Sequence, residues 1–223
     1  MKIKGIIFDM DGVIIDTEKW YQRFWVQGAV ENGFPMKPEH VLEIRSLPEK
    51  LAAPLLKKIV CPDFDYARVR DRRKELMAHH IEEYGIEKKK GIDQLLQYIK
   101  SNGLKCAVAT ATDIDRTTQY LKQIGIYDYF DKIICASMVK NGKPEPDVYL
   151  EASRQLGLQP MECVAVEDSP NGVLSAFRAR CNTIMVPDLT PPDQNTAKLL
   201  FAKADDLIQV IDILEIHKKA VEK

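Results

Sequence analysis

From Lys90 onward, short apolar runs alternate with amphipathic spans of helix length, and that alternation leaves few folds open to the chain. Ile92 to Lys100 has helical periodicity and stops near Gly103, after which Leu104 to Thr110 is an apolar run of strand length. The pattern then repeats. Thr117 to Ile124 reads as a helix stopped at Gly125, Ile133 to Ala136 as a short strand, Val148 to Leu156 as a helix ended by Gly157, and Cys163 to Val166 as a buried strand. A helix from Val173 to about Ala179, a strand over Thr183 to Val186 and helical spacing through Leu207, Ile211 and Leu214 complete the series. Strands separated by helices in this way are βαβ units, so the expected fold class is α/β with a parallel sheet.

The same sheet has a strand far upstream. Ile3 to Phe8 is nearly continuously apolar and rich in β-branched residues, which suits a central strand covered on both faces, and it breaks off into Asp9-Met10-Asp11-Gly12. Between Thr17 and about Lys90 the texture is helical throughout. Trp20, Phe24 and Trp25, then Leu51, Leu55 and Leu56, then Val69, Leu76 and Met77 recur at helical spacings, and Pro35, Pro38, Pro48 and Pro62 divide them into separate helices. Residues 17–90 therefore read as a small helical domain inserted into an α/β domain formed by residues 1–16 and 91–223. Lys88-Lys89-Lys90 reads as an exposed hinge where the chain re-enters that domain.

Composition narrows the class of partner. Hydrophobic residues make up 45% and charged ones 29% of the 223, enough apolar side chain for a real core. Lys plus Arg is 32 against 33 Asp plus Glu, so no overall basic field holds nucleic acid or an anionic membrane. No apolar run approaches the roughly 20 residues that span a bilayer. Cys61, Cys106, Cys135, Cys163 and Cys181 are odd in number and never paired as CxxC, which reads as buried thiols in a reducing, cytoplasmic setting. A monomer is the default expectation.

In parallel α/β sheets the loops at the carboxyl ends of the strands converge on the ligand site. Here four runs end in polar residues: the first in Asp9 and Asp11, the second in Thr110-Ala111-Thr112, the third through a loop to Asn141-Gly142-Lys143-Pro144-Glu145-Pro146, and the fourth in Glu167-Asp168. Two positions apart, Asp9 and Asp11 face one way in an extended segment, and their repulsion is relieved by a proton or a cation. With Asp168 they form an oxygen-rich cluster suited to Mg²⁺, which prefers a few carboxylates plus water and phosphate oxygens. A carboxylate is already ionised near pH 7, so Asp9 can act as a nucleophile without an activating base. Asp11 would protonate the leaving oxygen and then deprotonate water, while Lys143 and the Thr110 hydroxyl spread over the oxygens of the transferring group. Each feature alone has a plainer account: Asp11-Gly12 as a turn, Thr110 as a strand end, Lys143 as a solvated charge, Glu167-Asp168 as a helix start.

Taken together, Phe8-Asp9-Met10-Asp11-Gly12-Val13-Ile14-Ile15-Asp16-Thr17-Glu18, Thr110, Gly142-Lys143-Pro144-Glu145-Pro146-Asp147 and Glu167-Asp168-Ser169-Pro170-Asn171-Gly172 resemble the four ordered motifs of the haloacid dehalogenase superfamily. The β-phosphoglucomutase-like phosphatases are the most similar group. The resemblance covers essentially the whole chain and implies a Rossmann-like core whose helical cap, residues 17–90, closes over the site. It implies Asp9 as nucleophile, Asp11 as general acid and base, and Thr110 and Lys143 as phosphate clamps. Asp168 would bind Mg²⁺ beside Asp9 and the Asp11 backbone carbonyl, with Glu167 as a further carboxylate on the ion. Backbone amides of Met10, Asp11, Ala111 and Thr112 would finish the phosphate cradle. The implied activity is a phosphatase acting on a small phosphate monoester, with sugar phosphates as the first class.

Two other functions stay in view. A phosphosugar mutase of the same group carries a His four residues after the hinge Thr, whereas Thr17 is followed at that distance by Tyr21. Its cap loop of Gly-Val-Ser-Arg type corresponds to Ser46-Leu47-Pro48-Glu49, an acid in place of the phosphate-binding Arg, with Lys50 or Arg45 as candidates to compensate. An inactive binding relative would have lost Asp9, Asp11 or Lys143, and all three are present. Among cap residues, one member of Arg68, Arg70, Arg72, Arg73 and Lys74 is a candidate for a second anionic group of the substrate, and Trp20, Phe24 and Trp25 are candidates for cap packing or substrate stacking. His79 and His80 are neighbours on a helix and point too far apart to share a metal ion.

Overall fold

The structure, a computed structural model, describes residues 2–221. Its centre is a parallel sheet in the order β3-β2-β1-β4-β5-β6, built from β1 (Gly5–Phe8), β2 (Lys105–Thr110), β3 (Lys132–Cys135), β4 (Cys163–Glu167), β5 (Asn182–Met185) and β6 (Ala202–Lys203). Phe8 of β1 is in register with Val108 of β2 and Val166 of β4, so these three strands end together at one edge. Burial on both faces explains why their sequences are unbroken apolar runs. One face presents Ile6, Phe8, Cys106, Val108, Val164 and Val166 to α5 (Ile92–Ser101) and α10 (Leu207–Val221), through Leu95, Leu96, Val210 and Leu214. The opposite face is built of small residues, Ala107, Ala109 and Ala165 beside Ile7, and receives Tyr149 and Ala152 of α7 (Asp147–Leu156). Each fully buried Ile, Val or Phe contributes roughly 1.5–3 kcal/mol, so these layers hold the strand ends rigidly in place.

The strands expected from the sequence are all present, with small shifts at their ends. Helix starts differ more. α6 (Ile114–Gln123) and α8 (Pro170–Arg178) each begin three residues before the periodic apolar positions, because Asp113 and Ser169 act as N-caps, accepting from the amides of Arg116 and Gly172. The two-residue β6 and the short α9 (Gln194–Ala197) were outside the expected series.

Between β1 and α5 the described chain holds α1 (Glu18–Glu31), α2 (Pro38–Leu42), α3 (Glu49–Ile59) and α4 (Tyr66–Tyr84), with no strand. They enclose a separate apolar cluster of Trp25, Ala29, Met36, Val41, Ile44, Ala52, Leu56, Phe64 and Val69. Pro48 stands at the start of α3, while Pro54 lies inside it. The outgoing and returning chains pair with each other: the Asp16 amide donates to Glu87 O at 2.9 Å and the Lys89 amide to Ile14 O at 2.9 Å. The lysines of this segment are tied down, Lys88 to Asp93, Lys89 to Asp16 and Asp188, and Lys90 to Asp206. Among the described residues no helix is long and apolar enough to cross a membrane. All five cysteines are free, and four of them are buried.

Candidate active site

Because the strands are parallel, the residues that terminate β1, β2 and β4 emerge side by side. Asp9 follows β1, Thr110 closes β2, and Glu167 closes β4 with Asp168 next in sequence. All four are buried, as is Lys143, which reaches in from the loop between β3 and α7. The Lys143 ammonium donates to Asp9 Oδ1 at 2.5 Å and to Glu167 Oε1 at 2.6 Å. Tyr149 donates to the same Glu167 oxygen at 2.6 Å, and the Asp168 amide donates to Glu167 Oε2 at 3.1 Å. Gly172 allows this crowding, since a Cβ there would lie 2.1 Å from the Glu167 carboxyl. Gly12 does the same on the other side: it has φ +82°, and a Cβ would meet Asp168 Oδ2 at 2.3 Å.

Burial dominates the electrostatics. It pushes the Asp9 carboxyl up to about 8, against the attraction of Lys143 and with help from the charges of Glu167 and Asp11. Asp168 is likewise raised well above the usual carboxylate range by burial, although Arg45 opposes the shift. Lys143 moves the opposite way to an isolated buried lysine: burial would lower it, but Asp9 and Glu167 outweigh that and raise it. Its ammonium stays charged.

Asp9, Glu167 and Asp168 each offer one oxygen within 4.8 Å of the others. Among the described residues, the ion pairs of Asp9, Glu167 and Asp168 are with Lys143 and Arg45 alone, and Arg45 also serves Glu18, so with Asp11 beside them at least two negative charges are left over when every carboxyl is ionised. A set of few, hard oxygen donors with that excess fits a divalent cation that keeps part of its shell for water and phosphate oxygens.

Asp11 is placed differently from Asp9. It is half-buried, and its two carboxylate oxygens accept separately from Thr17 Oγ1 at 2.7 Å and Thr112 Oγ1 at 2.8 Å, which fixes its orientation. The Thr112 amide, expected to face a phosphate, donates to Thr110 Oγ1 at 3.1 Å. Asp11, Thr110, Ala111, Thr112 and Lys143 line one cavity of about 400 Å³, whose far wall consists of α1, α4 and the segment around Arg45. That volume is in the range of small-molecule sites.

Residues of the insertion and of the start of α8 complete the surroundings, in contacts that the sequence did not foretell. Arg45 leaves the helical insertion to bond Asp168 Oδ2, and its Nε donates to Glu18 Oε2 at 3.2 Å. Asn171 Nδ2 donates to the Arg45 carbonyl at 2.9 Å, and the Ser46 and Ser169 hydroxyls are 3.0 Å apart. Arg45 is thus occupied and does not replace the missing loop arginine. Lys50 reaches Asn141 Oδ1 at 3.3 Å, and Glu49 is paired with Arg70. No cation of the Arg45–Lys50 loop is left free among the described residues.

Residues 6–186 match the family of haloacid dehalogenase-like hydrolases. A phosphorylated carbohydrates phosphatase of Thermotoga maritima is 30% identical over 98% of this chain and 100% of its own length. Hexitol phosphatase A of Escherichia coli is 34% identical over 83% of this chain and 84% of its own. A β-phosphoglucomutase of Clostridium difficile superposes with a TM-score of 0.81 over 99% of this chain and 100% of its own, at 23% identity, a likeness of fold. With a family match across most of its length and a relative aligned nearly end to end, this chain belongs to the haloacid dehalogenase-like hydrolases.

Proposed function

We propose that the chain is a Mg²⁺-dependent phosphatase that hydrolyses small phosphate monoesters, sugar phosphates first among them, through an aspartyl phosphate on Asp9. The convergence of Asp9, Lys143, Glu167 and Asp168 in one buried cluster, with Asp11 beside it, carries this reading. The relatives that act on phosphorylated carbohydrates and hexitol phosphates support the substrate class. Residues 1–16 and 91–223 supply the chemistry in this reading, and residues 17–90 act as a cap that excludes bulk water. Every group named comes from one chain, so a monomer suffices, and the free, mostly buried thiols suit the cytoplasm.

In the first step an Asp9 carboxylate oxygen attacks phosphorus, and the bond to the leaving oxygen breaks as Asp11 gives that oxygen a proton. In the second step Asp11, now a carboxylate, takes a proton from water. The water oxygen bonds to phosphorus, the Asp9–phosphorus bond breaks, and inorganic phosphate leaves. Lys143 and Thr110 hold the transferring oxygens throughout. Mg²⁺ held by Asp9, Glu167 and Asp168 would supply the positive charge that lets an anionic ester approach an anionic nucleophile.

The test is incubation with Mg²⁺ and a panel of hexose, pentose, polyol and nucleoside phosphates, including β-glucose 1-phosphate with its bisphosphate activator. Free phosphate, abolished by EDTA, is expected. Isomerised sugar with little free phosphate would overturn the hydrolase in favour of a mutase, and no product of either kind would leave an inactive relative.

A further inference from the structure

One cation on the wall of the cavity has no part in the chemistry above. Arg73 of α4 stacks its guanidinium over the rings of Tyr21 and Trp25, 4.8 and 5.4 Å from their centroids. Among the described residues it makes no hydrogen bond and no ion pair, and its Nε is buried without a partner. Of its neighbours on the helix, Arg70 is held by Glu49 and Arg72 by Glu31 and Glu75, while Lys74 is exposed. Across the cavity Arg116 of α6 hydrogen-bonds Tyr21 and, among the described residues, has one ion pair, to Asp113 at 3.6 Å, whose side chain is more than half exposed. The charges of Arg73, Arg116 and Asp11 all act on the Tyr21 hydroxyl, which places two guanidinia and that carboxylate around a single phenol.

A guanidinium with no ion pair on the wall of a partly closed cavity is an incomplete arrangement, because its Nε has left water without finding an acceptor. Stacking on two aromatic faces fixes its plane and leaves the in-plane N–H groups free, the geometry that a carboxylate or phosphate accepts with two oxygens. The position is informative as well. Asp11 is the group that serves the leaving oxygen, so the arginines gathered near it flank the leaving group and not the transferred phosphate.

We propose that Arg73 and Arg116 bind a second anionic group, a carboxylate or a phosphate, carried on the leaving group at the end remote from the scissile ester. The preferred substrates are then phosphorylated sugar acids or sugar bisphosphates over neutral sugar monophosphates. This inference rests on the phosphatase reading and deepens it.

Two matched pairs of esters test it and separate the two sources of charge. 6-Phosphogluconate and glucitol 6-phosphate differ in a carboxylate against a hydroxymethyl at the far end; fructose 1,6-bisphosphate and fructose 1-phosphate differ in a far phosphate. The wild type is expected to favour the charged member of at least one pair by ~10–100-fold in kcat/KM, the range for losing hydrogen bonds to a charged group. Arg73→Gln, and Arg116→Gln on the other wall as a second variant, should pull that ratio towards one, mainly through KM. Equal rates within each pair, or variants that lower both members by the same factor, overturn the subsite while leaving the hydrolase intact. If no ester releases phosphate, the hydrolase reading fails, and titration of tryptophan fluorescence with the same esters decides the subsite alone. Tighter binding of a charged member, weakened in Arg73→Gln, sustains it; equal binding within both pairs overturns it.

Discussion

At the scale of single residues the site divides the two carboxylates that follow β1 by environment. Asp9 is buried against Lys143, while Asp11 is half-buried and oriented by two threonine hydroxyls. The first position suits a group that bonds to phosphorus, the second a group that must exchange protons with the leaving oxygen and then with water. Asp11→Asn is therefore expected to slow hydrolysis of an alkyl phosphate by ~10²–10⁴-fold, and to slow an activated aryl phosphate much less, because a phenolate leaves without a proton. Equal losses on the two esters in steady-state assays would take the acid role away from Asp11. The carboxylates and Lys143 were legible in the sequence because they interrupt apolar runs at strand ends. The role of Arg45 was not: it was in view only as a substitute for the loop arginine, and its partner Asp168 is 123 positions away. Arg73 was visible only as one of five basic residues between positions 68 and 74, and what sets it apart from Arg70 and Arg72 is that neither an ion pair nor a hydrogen bond holds it among the described residues.

At the scale of elements, the start of α8 is where packing and chemistry meet. An alanine in an ordinary helix stabilises by ~0.5–1 kcal/mol relative to glycine. At Gly172 the sign reverses, because the added methyl would fall on a fully buried Glu167 carboxyl that is already held by Lys143 and Tyr149. Gly172→Ala should cost about 1–3 kcal/mol in urea denaturation and weaken metal binding, as overpacking does. A stabilised variant would mean that Glu167 has another place to go. On α4, His80 lies 4.0 Å from the Trp20 ring centroid and near Phe24 and Tyr84, with Glu83, Glu87, Arg23 and Lys19 as its charged neighbours. Desolvation by these rings lowers its pKa below 6.5. The unfolded chain then binds the proton more tightly, so this contribution to stability is complete above pH 6.5 and is lost as pH falls below it. An NMR titration midpoint for His80 above 6.5 would contradict the sign. Helix starts such as Asp113 and Ser169 escaped the periodicity because capping turns are polar, and β6 escaped it because two residues carry no period at all.

For the molecule as a whole, the sheet and the helical insertion touch at the reactive cluster. Arg45 and Ser46 of the insertion meet Asp168, Asn171 and Ser169 of the core, so a cation held by Asp168 would share that carboxylate with an arginine of the insertion. Mg²⁺ at ~100 times its Kd should raise stability by up to ~2.7 kcal/mol in thermal denaturation, reversed by EDTA and absent in Asp168→Asn. The same increment in the variant would move the ion away from this trio. The division into an α/β body and an inserted helical piece was readable because the apolar period changes once on leaving the sheet and once on returning. How the two pieces meet was not, since it depends on side chains that come together only after both have folded.

The insertion leaves and returns through one narrow doorway. Ile14 to Asp16 and Glu87 to Lys89 run side by side, with their backbones bonded to each other and Lys89 anchored to Asp16 and Asp188. A chain threaded in this way can vary everything beyond the doorway without disturbing the register of a single strand. Asp9, Asp11, Lys143, Glu167 and Asp168 sit on the body, whereas Arg73, Tyr21 and Trp25 sit beyond the doorway. Changes in the cap-side wall of the cavity, where Arg73 sits opposite Arg116 of the body, can therefore accumulate without re-registering the sheet that holds Asp9 and Glu167.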